Sequence, residues 1–489
     1  MKKLLIVVLL VCFAVSMLAG CGGGNSALND DTSKEVKLTW IVVGDQPKDM
    51  PQVQEQVNKY LKEKINATVD IKFIGWGDYE AKMITTASSG DTYDLCFTSY
   101  WMFDYRRYAR QGFFYGLDEL MDKYGEGIKK SVDVMPNLIE ATKINGVVYG
   151  VPVANAPYQS GYYFNKNIVD KYKFDYAKVT RIEDLFPLYA KIKSDNPNIV
   201  CIADLKEYNA DDKFDWIMSA SFPGAVKVAN KDCKVINQFT DPEYIAVLVG
   251  RREANLKGYT YKDTVNKNKD NDYKAGKLAG FVGTYTPGGE IGFNAVGDKP
   301  PTLIFPTYKN PTGETRNAAM GAMIAMSVSC KNPERAMKFV NMLYTDATLY
   351  NLLSYGIEGT HYAKSGANTI KFLPAHKDYA GLVDWTYGNK MVSYIPDGES
   401  ADKWKLMRSG WDSVVWSPIF GFSADLAPVQ NEVSALTNIA KQYETDLQAG
   451  TRDVEPLLKE YNEKLQAAGM DKFMAEMQKQ IDEWKKSKK

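Results

Sequence analysis

Val36–Val43 (VKLTWIVV) is a run of strand formers stopped by Gly44, and the pattern that follows it fixes the class of fold. Val53, Val57, Tyr60 and Leu61 recur at i, i+4, i+7 and i+8, which is one face of a helix. Val69, Ile71 and Phe73 then alternate with polar residues as a half-buried strand does. Tyr79–Ser88 returns to helical spacing, and Tyr93–Thr98 reads as a third strand. Helices inserted between successive strands bring those strands together in parallel, so the chain is expected to be α/β. Gly146–Val153 continues with a strand behind a turn, and another strand pair is expected near Leu278–Val282 and Thr302–Phe305. Asn332-Pro333-Glu334 starts a helix, with a cap, a proline in the first turn and an acid at the positive end. Ala336, Phe339, Val340 and Leu343 are its buried stripe. Near the C-terminus, Leu457, Leu458, Tyr461 and Leu465 form one helical face, Gly469 interrupts it, and Phe473, Met477, Ile481 and Trp484 resume it. That stripe is read as core packing. Trp216, also in a helical pattern, is assigned to the core.

Composition narrows the function classes. The chain has 489 residues, with 60 Lys+Arg against 60 Asp+Glu. Without a basic excess or a long basic patch, nucleic acid and anionic lipid are poor main partners. No G-x-S-x-G elbow and no phosphate-binding loop occur, and the two histidines, His361 and His376, do not form H-E-x-x-H. No metal site and no cofactor are expected, and Asp270-Asn271-Asp272, lacking the Gly and Glu of a calcium loop, reads as a solvated loop. Paired-carboxylate catalysis stays open, because carboxylate separation is invisible in sequence. Cys96 and Cys330 lie in apolar runs and read as buried thiols. Spacing gives no ground for pairing Cys201 with Cys233.

The N-terminus is a secretory leader over residues 1–20: Lys2 and Lys3, an apolar run from Leu4, then small residues. Leu18-Ala19-Gly20-Cys21 looks like a bacterial lipobox, which implies that Cys21 becomes the first mature residue and carries lipid. Residues 21–35, including the polar stretch Asn25–Lys34, read as a flexible lipidated tether. The expected location is the extracellular face of the plasma membrane.

Several blocks together resemble the family 1 extracellular solute-binding proteins, whose best-known relatives bind maltodextrins. They are Tyr93–Leu117 followed by DELMDKYG, Asn145–Tyr172 (NGVVYGVPVANAPYQSGYYFNKNIVDKY) and Asn332–Tyr362. Gly410–Trp484 is similar to a lipoprotein subgroup linked to uptake of complex polysaccharide fragments. The resemblance implies a two-lobed periplasmic-binding-protein-like type II fold with a ligand cleft between the lobes. By the family's crossings, residues 36–152 and 306–346 make lobe 1, and residues 153–305 and 347–489 make lobe 2. The crossings are expected near Pro152–Ala154, Phe305–Thr307 and Thr345–Leu349. The implied partners are an oligosaccharide and the permease of an ABC importer with a separate ATPase; the protein is expected to act as a monomer, without enzymatic activity.

A sugar offers apolar C–H faces and a hydroxyl rim, which flat aromatic faces and a few polar groups hold well. In open α/β sheets such groups stand beyond the carboxyl ends of the strands. That rule selects Asp45 and Gln46, then Ser99, Tyr100 and Trp101, then Asn155 and Tyr158. Tyr285 stands where the maltodextrin binders place a stacking aromatic. Glu358, His361 and Tyr362 follow the third expected crossing, and Trp411, Trp416 and Phe422 are candidates for the second lobe's wall. For each aromatic, core packing is an equal alternative. A surface glycoside hydrolase or lyase, and a binder of peptide or another small solute, are the rival functions.

Overall fold

The computed structural model describes residues 30–133, 135, 137–155, 159–179, 181–203, 205, 213–262, 269–285, 302–306, 312–314 and 318–487. In chain order, the strands that place the site are Val36–Val43 (β1), Ala67–Ile74 (β2), Leu95–Thr98 (β3), Gly150–Pro152 (β4), Gln159–Asn165 (β5), Gly280–Tyr285 (β6), Thr302–Pro306 (β7), Thr312–Glu314 (β8), Met323–Met326 (β9) and Val414–Trp416 (β10). A five-stranded sheet has the order β2-β1-β3-β9-β4. β1 runs parallel to β2 and β3, β9 is antiparallel to β3, and β4 is antiparallel to β9. The carboxyl ends of β1, β2, β3 and β4 therefore share one edge, together with the start of β9. A second, antiparallel sheet has the order β7-β5-β6.

Local chemistry explains the helices that cover these sheets. Met50–Ile65 carries Pro51 in its first turn, buries Val53, Val57 and Leu61, and ends at Asn66, which takes the left-handed conformation (φ 46°). Pro333–Thr345 buries Ala336, Phe339, Val340 and Leu343 as its periodicity predicts. Asn332 stands at its N-cap position, yet its side chain makes no capping bond. The C-terminal helices Val454–Ala467 and Met470–Ser487 are separated at Gly469 (φ 93°), and their expected stripe packs into the core, with Trp484 at its margin. Trp216 is buried too, but on a strand, Phe214–Trp216. Asp270-Asn271-Asp272 lies in the short helix Lys269–Lys274 and not in a loop; the Asp272 carboxylate accepts the Tyr261 hydroxyl at 2.8 Å. All four described cysteines are buried and unpaired. No helix among the described residues is long and apolar enough to cross a membrane.

Two lobes follow from the packing. One core joins Leu38, Trp40, Val53 and Ala154 with Ala319, Phe339, Tyr350, Leu353, Tyr387 and Trp411. The other joins Tyr162, Phe164 and Val282 with Ile419, Leu436, Tyr461, Phe473 and Ile481. The chain thus passes between cores after Ala154, between Val282 and Ala319, and between Trp411 and Ile419. This corrects the expectation for residues 347–411, which pack with the first lobe. The expected crossing at Thr345–Leu349 is only the junction of two helices in one core, where Asp346 accepts the Leu349 N–H at 3.0 Å and the Tyr60 hydroxyl at 2.9 Å. The last two passages run side by side: β8 pairs in parallel with β10, Thr312 opposite Val414 and Glu314 opposite Trp416.

The tether reading also changes at its end. The Arg335 side chain is 0% exposed and Asp30 8% exposed, and they pair at 2.8 Å, with Lys338 on the same carboxylate at 2.7 Å. Arg335 further donates to the carbonyls of Asp31, Lys34 and Asn66. From Asp30 onward the segment is therefore bound to the first lobe, at the edge where β2 begins. Cys21 lies outside the described residues.

Candidate functional site

The carboxyl edge of the first sheet carries the candidate site. After β1, Asp45 and Gln46 are exposed. After β2 comes Gly75-Trp76; a Cβ on Gly75 would lie 3.3 Å from Asp45 Oδ1, so the carboxylate stands directly beside the Trp76 turn. After β3, Ser99 is fully buried, and its hydroxyl accepts the N–H of Trp101 (3.2 Å) and of Met102 (2.8 Å). Ser99 is thus a brace and not a ligand group. The turn it holds presents Tyr100 and Trp101, which are 38% and 44% exposed. Trp101 Nε1–H is fixed on the Gly321 carbonyl at 2.8 Å, just before β9.

Three indoles gather here. Trp76 stacks on Trp385 at 5.5 Å and 22° between planes, and on Trp101 at 6.2 Å and 18°. Trp101 and Trp385 are 6.1 Å apart, and Phe97, from β3, touches both. Trp76 remains 37% exposed. Large apolar rings left in water at one spot are a binding feature more often than an accident. Asn155, just beyond β4, connects this cluster to the crossings. Its Nδ2–H donates to the Trp385 carbonyl at 3.1 Å, and its own carbonyl accepts Trp411 Nε1–H at 3.1 Å. Trp411 in turn stacks on Trp416 of β10 at 5.6 Å and 10°. Asn155 Oδ1 is buried and accepts no hydrogen bond among the described residues. An orphaned acceptor is costly, and a ligand hydroxyl would relieve that cost.

The remaining candidates separate from this cluster. His361 is fully buried; its Nδ1 accepts the Ile357 N–H at 2.9 Å, which leaves Nε2 to donate to Asp49 at 3.3 Å. Both ring nitrogens hold backbone and loop in place, so His361 is structural. Tyr362 is buried beside Tyr355 and Tyr394, and Glu358, exposed, reaches Lys364 at 3.6 Å. Phe422 is buried in the second core, 6.0 Å from Trp484, because it packs the C-terminal helix and not the cleft. Tyr285 closes β6 opposite Gln159. Tyr158 lies outside the described residues. Trp76 and Trp385 escaped the sequence reading. Trp76 follows a strand just as Asp45 does and was legible by the same rule; Trp385 sits in a single 3-10 turn, Asp384–Thr386, with no local signal. The edge offers stacking faces, one carboxylate and one free acceptor, a set suited to binding. No group of three or more metal-ligating side chains occurs among the described residues.

Comparison with known proteins places the chain in a family. Bacterial extracellular solute-binding protein is the family description that matches residues 44–349, and a domain of unknown function, DUF3502, matches residues 418–486. A carbohydrate ABC transporter substrate-binding protein of Streptococcus pneumoniae serotype 4 is 30% identical over 487 residues, covering 96% of each chain. The crystal structure of the N-glycan transport solute binding protein NgtS from Streptococcus pneumoniae superposes with a TM-score of 0.85 at 29% identity, over 93% of this chain and 100% of that one. NgtS in complex with Man5GlcNAc gives 0.76 at 29% identity, over the same shares. An HMO-binding solute-binding protein of Bifidobacterium longum infantis, 15% identical with a TM-score of 0.63 over 92% of this chain and 99% of that one, shares the fold. The chain belongs to the bacterial extracellular solute-binding protein family.

Proposed function

We propose that this protein captures an oligosaccharide between its lobes and delivers it to the permease of an ABC importer powered by a separate ATPase. The observation that carries the reading is the Trp76–Trp101–Trp385 face beside the orphaned Asn155 Oδ1, at the strand ends where α/β sheets bind ligands. Indole faces match the C–H faces of pyranose rings, and Asp45 and the Asn155 Oδ1 accept hydrogen bonds from the hydroxyls. The paired crossings β8 and β10 supply a hinge, and closure converts binding into a shape the permease recognises. NgtS was crystallised with Man5GlcNAc and with Man1GlcNAc, which makes mannose-rich glycans the first class to try. The reading needs no covalent chemistry, so the protein acts as a carrier; one chain supplies both lobes of the cleft, which is compatible with action as a monomer. A lipid on Cys21 holds it at the outer face of the plasma membrane, a reading supported by the basic, apolar and small-residue order before that cysteine.

A thermal-shift screen of the soluble chain against defined glycans, with mass spectrometry of the recovered sugar, tests this. Stabilisation by a glycan recovered intact is the expected result. A shortened glycan would replace the carrier by a hydrolase or lyase, and a response to peptides alone would overturn the ligand class. Palmitate labelling that disappears in Cys21→Ser tests the anchor.

A further inference from the structure

The segment leading into hinge strand β10 carries a cavity of about 500 Å³, lined by Met391, Trp404, Lys405, Arg408, Ser409 and Asp412. That size falls within the range of small-molecule sites, about 300–1,000 Å³. Its chemistry differs from the tryptophan face. Trp404 supplies one indole, held in place by Nε1–H bonded to the Ser393 carbonyl at 2.9 Å. The helix Lys403–Ser409 sets Lys405 and Arg408 three residues apart, so both cations serve the same cavity. Arg408 uses Nη2 to reach Asp133 at 3.0 Å. Lys405 is exposed and has no ion-pair or hydrogen-bond partner among the described residues. Asp412 adds one carboxylate.

A neutral sugar has no use for two cations, and a simple anion has no use for an indole. We propose that this cavity is a subsite for a sugar residue bearing a carboxylate, such as a uronic or sialic acid. Its carboxylate meets Lys405 and Arg408, its C–H face lies on Trp404, and its hydroxyls donate to Asp412. The proposal rests on the saccharide reading and extends it to acidic glycans. Its position couples it to the hinge, because Asp412 follows Trp411, which bonds to Asn155 and stacks on Trp416.

The test is calorimetric titration of the soluble chain with 6′-sialyllactose, with trigalacturonate and with the neutral glycan Man5GlcNAc. Lys405→Ala, at an exposed position, is expected to keep the melting temperature and the Man5GlcNAc affinity while weakening an acidic sugar about two- to fivefold. The acid affinity should also fall as salt rises. The arm that binds identifies sialic or uronic acid as the source. If Man5GlcNAc binds but neither acidic sugar does, or if Lys405→Ala leaves acid affinity unchanged, the subsite is wrong and the carrier reading stands. If neither neutral nor acidic glycan binds, both readings fall.

Discussion

Asp30→Ala tests whether the end of the tether is part of the fold. The carboxylate accepts from Arg335 Nη2 at 2.8 Å and Nε at 3.0 Å, and from Lys338 Nζ at 2.7 Å. Removing one member of a buried ion pair costs about 3–5 kcal/mol, because the other charge is left without its partner. Here Arg335 keeps the carbonyls of Asp31, Lys34 and Asn66, so the expected loss falls at or just below the bottom of that range, about 2–3 kcal/mol. For a lobe of this size that is about 5–10 °C of melting temperature. Burial alone would raise the Asp30 pKa, and the bonds and charges of Arg335 and Lys338 more than offset this, holding it below the ordinary carboxylate value. A depressed folded pKa gives stability that is complete above the unfolded value, about 4, and is lost as pH falls through the folded one. The gap between wild type and Asp30→Ala should therefore be full at pH 7 and shrink below about pH 4. Scanning calorimetry of a chain starting at Asn25, across that range, measures it. A variant that melts within a degree of wild type at pH 7 would show that the Asp30–Arg335 pair adds nothing to the fold, and a chain starting at Ser33 should resemble Asp30→Ala.

Deleting everything after Ser417 should leave the second lobe unfolded in hydrogen exchange. It removes the fully buried Leu436, Tyr461, Leu465, Phe473 and Ile481, each supplying about 1.5–3 kcal/mol of burial, against a typical domain stability of about 5–15 kcal/mol. Asn155→Ala should weaken glycan binding about tenfold by calorimetry, as one hydroxyl loses its buried acceptor, with a melting temperature close to wild type because removing the orphaned Oδ1 offsets the lost Nδ2–H bond to the Trp385 carbonyl. Thiol reagents at pH 8 should leave all four cysteines of the native chain from Asn25 unmodified until it unfolds. All four are buried, and burial pushes the Cys201 thiol up to about 12 and the Cys96 and Cys330 thiols higher still.

What was legible in the sequence follows the range of the forces involved. Val36–Val43 and the stripe of Pro333–Thr345 are set by period and by residue type over one element, and both stand where the pattern put them. The parallel pairing of β1 with β2 and β3 followed from helices spaced between strands; the antiparallel insertion of β9 between β3 and β4 did not. Which lobe owns residues 347–411 depends on Tyr350, Leu353, Tyr387 and Trp411 finding the first core, and no local period encodes that choice. The site divides the same way. Trp101 and Asn155 lie at strand ends, where topology alone marks a residue, and Trp76 obeyed the same rule. Ser99, also at a strand end, turned inward because its hydroxyl closes the turn that presents Trp101. Trp385 joins the cluster only because the segment around it folds back over β3. For His361 and Phe422, burial and partners decide the role, and neither is written in their neighbours.

The proposed capture of an oligosaccharide requires sugar rings to rest on the indoles of Trp76 and Trp385. Titrating Man5GlcNAc into wild type, Trp76→Ala and Trp385→Ala by calorimetry tests it most directly. Wild type should give a saturable heat and each variant a loss of affinity of at least about tenfold, while both stay folded. A wild type that binds with its affinity unchanged in both variants would contradict the claim.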